Sequence, residues 1–103
     1  MGTHFRLAQP RTFLAFIEMY HVYILKSRKD SSLYIGYTND IKRRLEAHNK
    51  GLVKYTQSRK PWKIVYYETF ASIEEAKQRE KSLKYFGKAF AQLKRRIRNS
   101  LNR

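Results

Sequence analysis

The chain has 103 residues, room for one small domain with a modest core and little left over for a second folded unit. It has no cysteine, which excludes a disulfide framework and a thiolate zinc site, and its eight Tyr and six Phe exclude a disordered tail. Lys and Arg number 23 against 8 Asp and Glu, a formal net charge of +15. That excess is far beyond what solubility requires and favours a polyanionic partner through counterion release and steering.

Residues 1–18 read as a weakly ordered extension: they have no clear period, Pro10 interrupts them, and Met19 stands directly before the first strand as an alternative start. A mitochondrial-type presequence is a minor alternative, with two Arg and one Glu but no Ser in the leader. The apolar run Phe13 to Ile17 is too short to span a bilayer and lacks the features of a signal peptide, so a cytoplasmic protein is expected. His4, His21 and His48 are scattered and make no metal cluster.

Residues 19–103 then form the expected domain. Tyr20 to Lys26 is rich in strand formers, and Lys29-Asp30-Ser31-Ser32 is a turn leading to a second strand, Leu33 to Tyr37, so the two form a hairpin. Thr38-Asn39-Asp40 supplies N-cap chemistry for a helix from Ile41 to Lys50, stopped by Gly51. A basic loop from Leu52 to Lys60 ends at Pro61, and Trp62 to Phe70 is the third strand. Ser72 with Glu75 three residues on is a capping box opening a helix to Phe86, ended by Gly87. A last helix from Lys88 carries Phe90, Leu93, Ile97 and Leu101 on one stripe. The order β-β-α-β-α-α predicts an α+β fold, a small three-stranded antiparallel sheet flanked by helices.

One acid stands out. On the helix from Ile73, the positions Ile73, Ala76 and Leu83 mark the buried face, and Glu80 shares it, four after Ala76 and three before Leu83. A carboxylate turned inward is costly unless a cation meets it, either a neighbouring Arg or a divalent metal. Arg44 and His48 lie four apart and therefore on one face of their helix. Gly36 lets the backbone bend or approach a phosphate where a side chain would obstruct it. Lys54, Arg59, Lys60 and Lys63 flank Tyr55-Thr56 and suit backbone phosphates, as do the eight basic residues from Lys81 to Arg103, a stretch with no acid.

The stretch from Val22-Tyr23-Ile24 through Tyr34-Ile35-Gly36 to Arg44, with Glu80 further on, resembles the GIY-YIG nucleases over roughly residues 20 to 86. The closest likeness is to small single-domain bacterial members similar to the nuclease module of the excinuclease C subunit, which also carry the Tyr55-Thr56, Pro61 and Arg79-Glu80 features. The resemblance implies a divalent-metal-dependent endonuclease acting on DNA, with RNA as the alternative substrate. Selectivity for branched, flapped or damaged DNA and weak sequence specificity are implied with it. It implies that Tyr23 or Tyr34 activates water, Arg44 clamps the phosphate, His48 handles a proton or orients water, and Glu80 holds a single Mg²⁺ or Mn²⁺.

In the family pattern the Arg follows the second-motif Gly by eight, as Arg44 follows Gly36. Arg43 is the neighbouring alternative; helix phase favours Arg44, beside Ile41 and Leu45. Gly36 and Tyr37, with the basic loop, are expected to contact nucleic acid. Two departures stand out: His21-Val22-Tyr23 replaces Gly-Ile-Tyr, and Tyr37 stands where many relatives have Lys. A free phenol has a pKa near 10, so nearby cations are expected to make a tyrosine a useful base. The rival readings are a non-catalytic nucleic-acid-binding module and a subunit that works only with a partner protein.

Overall fold

The computed structural model describes residues 18–103. The expected extension over 1–18 lies outside the described residues except for Glu18. Three strands, β1 (Tyr20–Ser27), β2 (Leu33–Thr38) and β3 (Trp62–Phe70), form one antiparallel sheet in the order β2-β1-β3. Four helices surround it: α1 (Ile41–Asn49), α2 (Ile73–Tyr85), α3 (Gly87–Arg96) and the short α4 (Arg98–Leu101). The α+β architecture matches the sequence reading.

The central strand explains much of the architecture. Val22, Tyr23, Ile24 and Leu25 are all buried to 2% exposure or less, so β1 is covered on both faces. Val22 and Ile24 pack with Ile35, Ala76, Leu83 and Leu93 under α2 and α3. Tyr23 and Leu25 point the other way, toward Trp62, with Leu45 of α1, Tyr34 and Ile64 against them. Alternation along the strand thus serves two different neighbours, one aliphatic and one rich in polar atoms. Each fully buried aliphatic side chain contributes roughly 1.5–3 kcal/mol to holding this arrangement.

The helix starts follow local chemistry. Asp40 caps α1, its side chain accepting from Arg43 N–H at 3.1 Å. Gly51 then takes φ of +75° just past the helix, the left-handed conformation that favours glycine. Ser72 caps α2 and accepts from Glu75 N–H at 3.3 Å, but its hydroxyl also donates to Glu74 Oε1 at 3.1 Å.

Two boundaries differ from expectation. Gly87 does not terminate α2 as a left-handed glycine: Phe86 in extended conformation (φ −114°, ψ 97°) makes the break, and Gly87 opens α3. The apolar stripe from Phe90 to Leu101 is likewise not one helix, because Ile97 (φ −115°, ψ 30°) separates α3 from α4. The stripe still serves burial, since Leu93 is in the core and Phe90 and Ile97 pack against it.

Candidate active site

The site is built where β1 and β2 run side by side. Their register sets Tyr23 opposite Gly36, with Tyr34 two residues along β2 on the same face. The phenol of Tyr23 lies across Gly36: a Cβ at position 36 would stand 2.5 Å from Tyr23 Oη and 2.7 Å from its Cζ. The glycine is therefore required by the tyrosine crossing it rather than by its own backbone angles. From α1, Arg44 reaches the same spot, and from α2 so does Glu80. Together Tyr23, Tyr34, Gly36, Tyr37, Arg44 and Glu80 line a pocket of about 450 Å³.

Arg44 rather than Arg43 enters the pocket: Arg44 is half-buried and lines it, whereas Arg43 is exposed. Its guanidinium stands beside the hydroxyls of Tyr23 and Tyr34, and contact with Tyr23 above all raises its pKa. Glu80 pairs with Lys84 one turn on, at 3.2 Å between Oε2 and Nζ. The same Lys84 ammonium lies 5.7 Å from the centre of the Tyr34 ring.

His48 sits behind the pocket rather than in it. It is fully buried, and its Nε2 meets Tyr23 Oη at 3.0 Å while its Nδ1 meets Thr56 Oγ1 at 2.7 Å. The tautomer follows from the chain of bonds. Thr56 Oγ1 donates to Val53 O at 3.3 Å, so it accepts from Nδ1–H. That leaves Nε2 as the acceptor for the Tyr23 hydroxyl. Burial, reinforced by the Arg44 charge, holds His48 down to about 4, so the ring is neutral at ordinary pH. Burial also pushes the Tyr23 phenol up to about 12, outweighing the pull of Arg44. This corrects the expectation that basic surroundings would make Tyr23 a ready base: desolvation of the phenolate wins.

Thr56, one of the features of the family resemblance, gains a role that the sequence did not give it, as the partner of His48. It is fully buried in the loop after α1, and the loop is tied down around it. Asn49 bonds the Trp62 backbone at both its carbonyl and its N–H, at 3.0 and 2.6 Å. The Trp62 indole donates to Thr56 O at 3.0 Å. Lys84 was also missed, although its spacing of four from Glu80 was there to read. Tyr20, Thr38, Asn39 and Ile73 are the other described residues of the pocket wall.

The basic residues expected to bind nucleic acid are dispersed. Arg59 is half-buried, donating to Tyr55 O and Ser32 Oγ at 3.2 Å each and lying 5.4 Å from the Trp62 ring centre. Lys54 and Lys60 are exposed, and Lys63 donates to the carbonyl of Arg103; none of these three lines the pocket. Lys63, Lys26, Arg28 and Arg103 crowd together, and burial with that mutual repulsion lowers the Lys63 pKa.

Among the described residues, no group of three or more His, Cys, Asp or Glu converges to cage a metal. Glu80 is the one carboxylate in the pocket wall. A single carboxylate facing a polar pocket suits a hard cation such as Mg²⁺, which keeps several waters and takes other oxygens from a bound phosphate. Among the described residues no helix is long and apolar enough to cross a membrane.

Residues 19–89 match the GIY-YIG catalytic domain. A UPF0213 protein of Clostridium perfringens is 51% identical over 67 residues, covering 64% of this chain and 71% of that protein. A UPF0213 protein of Staphylococcus haemolyticus is 46% identical over 70 residues, covering 67% and 84%. The solution NMR structure of a UPF0213 protein from Bacillus halodurans is 37% identical, covers 74% of this chain and 85% of that one, and aligns with a TM-score of 0.45. The chain belongs to the GIY-YIG nuclease family and is similar to its small UPF0213 members.

Proposed function

We propose that this protein is a divalent-metal-dependent endonuclease that hydrolyses phosphodiester bonds in DNA, selective for DNA structure more than for sequence. The observation that carries the reading is the meeting of two tyrosine hydroxyls, one guanidinium and one carboxylate from four different elements in a single pocket. Such a set can hold a phosphate, shed a proton from water and bind a cation. Glu80 would hold Mg²⁺ or Mn²⁺, which supplies charge neutralisation at the phosphoryl oxygens.

The proton path runs through this chain's own atoms. The attacking water gives a proton to Tyr23 Oη as Tyr23 passes its own hydroxyl proton to His48 Nε2. The tyrosine ends unchanged and never bears a full negative charge, consistent with a phenol held up to about 12. His48 gains one proton and keeps its Nδ1–H bond to Thr56. The water oxygen forms a bond to phosphorus as the bond to the leaving sugar oxygen breaks; that oxygen keeps the electron pair and takes a proton from bulk water. Arg44 donates its N–H groups to the non-bridging oxygens, where charge accumulates. Burial above all depresses His48; a phosphate on Arg44 would offset only the smaller contribution of that cation. Tyr34, beside Tyr23 on the same face of the sheet, orients the water.

A second reading is favoured by the 3.2 Å pair of Glu80 with Lys84, which satisfies the carboxylate without a metal and suits a module that binds without cutting. The deciding experiment is cleavage of labelled single-stranded, duplex, flap and four-way-junction DNA with Mg²⁺, Mn²⁺ or EDTA, comparing the natural protein with Glu80→Ala. Metal-dependent cutting lost in the variant, with DNA binding kept, supports the nuclease. Tight, salt-sensitive binding without cutting under any condition overturns it in favour of the binding module.

A further inference from the structure

A second concavity opens beside the catalytic pocket and shares Tyr34 as a wall. It is a groove of about 500 Å³, lined among others by Leu33, Tyr55, Arg59, Lys84, Tyr85 and Phe90. Tyr55 is 81% exposed and Tyr85 73% exposed. They come from different elements, the loop after α1 and the end of α2, so neither is explained by packing within its own segment.

We infer that this groove is a stacking site for unpaired nucleobases flanking the scissile phosphate, so that the substrate is a nucleic acid with single-stranded character at the cleavage point. This rests on the nuclease reading of the adjacent pocket. Three observations carry it. Exposed tyrosine faces on an apolar floor are what a base, with its flat π surface, can stack upon. Arg59 and Lys84 supply positive charge at the groove, and among the described residues no Asp or Glu lines it. Lys84 pairs with Glu80 and lies over Tyr34, so the groove and the catalytic pocket are continuous through two side chains. A paired duplex keeps its base faces stacked inside the helix and offers none of them to tyrosines. An acidic peptide would use the cations but leave the rings idle. A second copy of this chain would bring Arg59 and Lys84 against a like-charged surface.

The test measures affinity in EDTA, using Glu80→Gln as background so that nothing is cut. The probes are a labelled single strand, the same strand with abasic sites, and the matching duplex. Tighter binding of the single strand than of the duplex is expected. Tyr55→Ala and Tyr85→Ala should each weaken single-strand binding about tenfold and leave duplex binding unchanged, while Tyr55→Phe and Tyr85→Phe keep it. Abasic sites should weaken binding to the unsubstituted tyrosines, a check that needs no change in the protein's groove. Equal losses on single strand and duplex, no loss on either, or indifference to abasic sites overturns the assignment. So does tyrosine-dependent self-association in sedimentation without single-strand preference. Because affinity in EDTA is read apart from cleavage, a protein that never cuts but shows the tyrosine-dependent preference would sink the nuclease reading alone.

Discussion

The two faces of the central strand are built on opposite principles. Val22 and Ile24 face an aliphatic cluster with Ala76, Leu83 and Leu93, where any well-packed apolar side chain of the right volume can serve. Tyr23 faces His48, Thr56 and Trp62, where each polar atom has a named partner and no buried side-chain polar atom of the described residues is left without one. Burial stabilises both, but only the second face fixes the direction of individual protons. The contrast teaches that one strand can assign stability to its even residues and chemistry to its odd ones.

The comparison can be broken from either side. Leu83→Ala opens a cavity in the aliphatic face and should cost about 2–5 kcal/mol in urea unfolding, with cleavage per folded molecule unchanged; a comparable loss of rate would show that the faces are not separable. On the other face, Arg44→Ala should lower the rate about a hundred- to a thousandfold, as removing one charge-stabilising donor does, with the urea midpoint nearly unmoved. Thr56→Val leaves Nδ1–H of His48 buried without an acceptor and should cost about 1–3 kcal/mol. It should also lower the rate, because the ring loses the bond that fixes its tautomer.

A pH slope probes the same face without a substitution. His48 is held down to about 4 in the fold against an ordinary value of 6.5. Below pH 6.5 the unfolded chain therefore takes up a proton that the folded chain refuses, and stability falls as pH drops from 6.5 toward 4. Below about 4 both states are protonated and this contribution levels off. Thermal midpoints measured across that window should show the slope in the natural protein and a shallower one in His48→Gln; parallel slopes would mean that another group titrates.

Much of the fold was legible because local rules and burial agree. Strand formers at Tyr20 and Trp62, Asp40 and Ser72 as caps, and Gly51 past α1 each did what their chemistry predicts. Gly87 misled because a glycine beside a helix end serves equally at the next helix start, and only the extended Phe86 decides. In the site, the inward phase of Glu80 was readable from helix periodicity, and the structure brings it together with Tyr23, Tyr34 and Arg44. Thr56 was flagged by the resemblance, but its bond to His48 was not readable: the two meet across a loop whose path depends on Asn49 and Trp62, and no local period encodes that. The rise of Tyr23 was unreadable for a similar reason, since net charge predicts a lowered phenol and burial reverses it.

The crossing of Tyr23 over Gly36 has a consequence for how this sequence can vary. The phenol fills the volume that a Cβ at 36 would take, so position 36 cannot grow while Tyr23 keeps its place, whereas Tyr23 can shrink beside the glycine. In a library randomised at both, alanine at position 36 would survive only alongside a shorter residue at position 23, which could not bring a hydroxyl to His48 Nε2. Larger side chains at 36 are thus reachable only by variants that have already given up the proton path, so any residue but glycine there marks a descendant that has lost it.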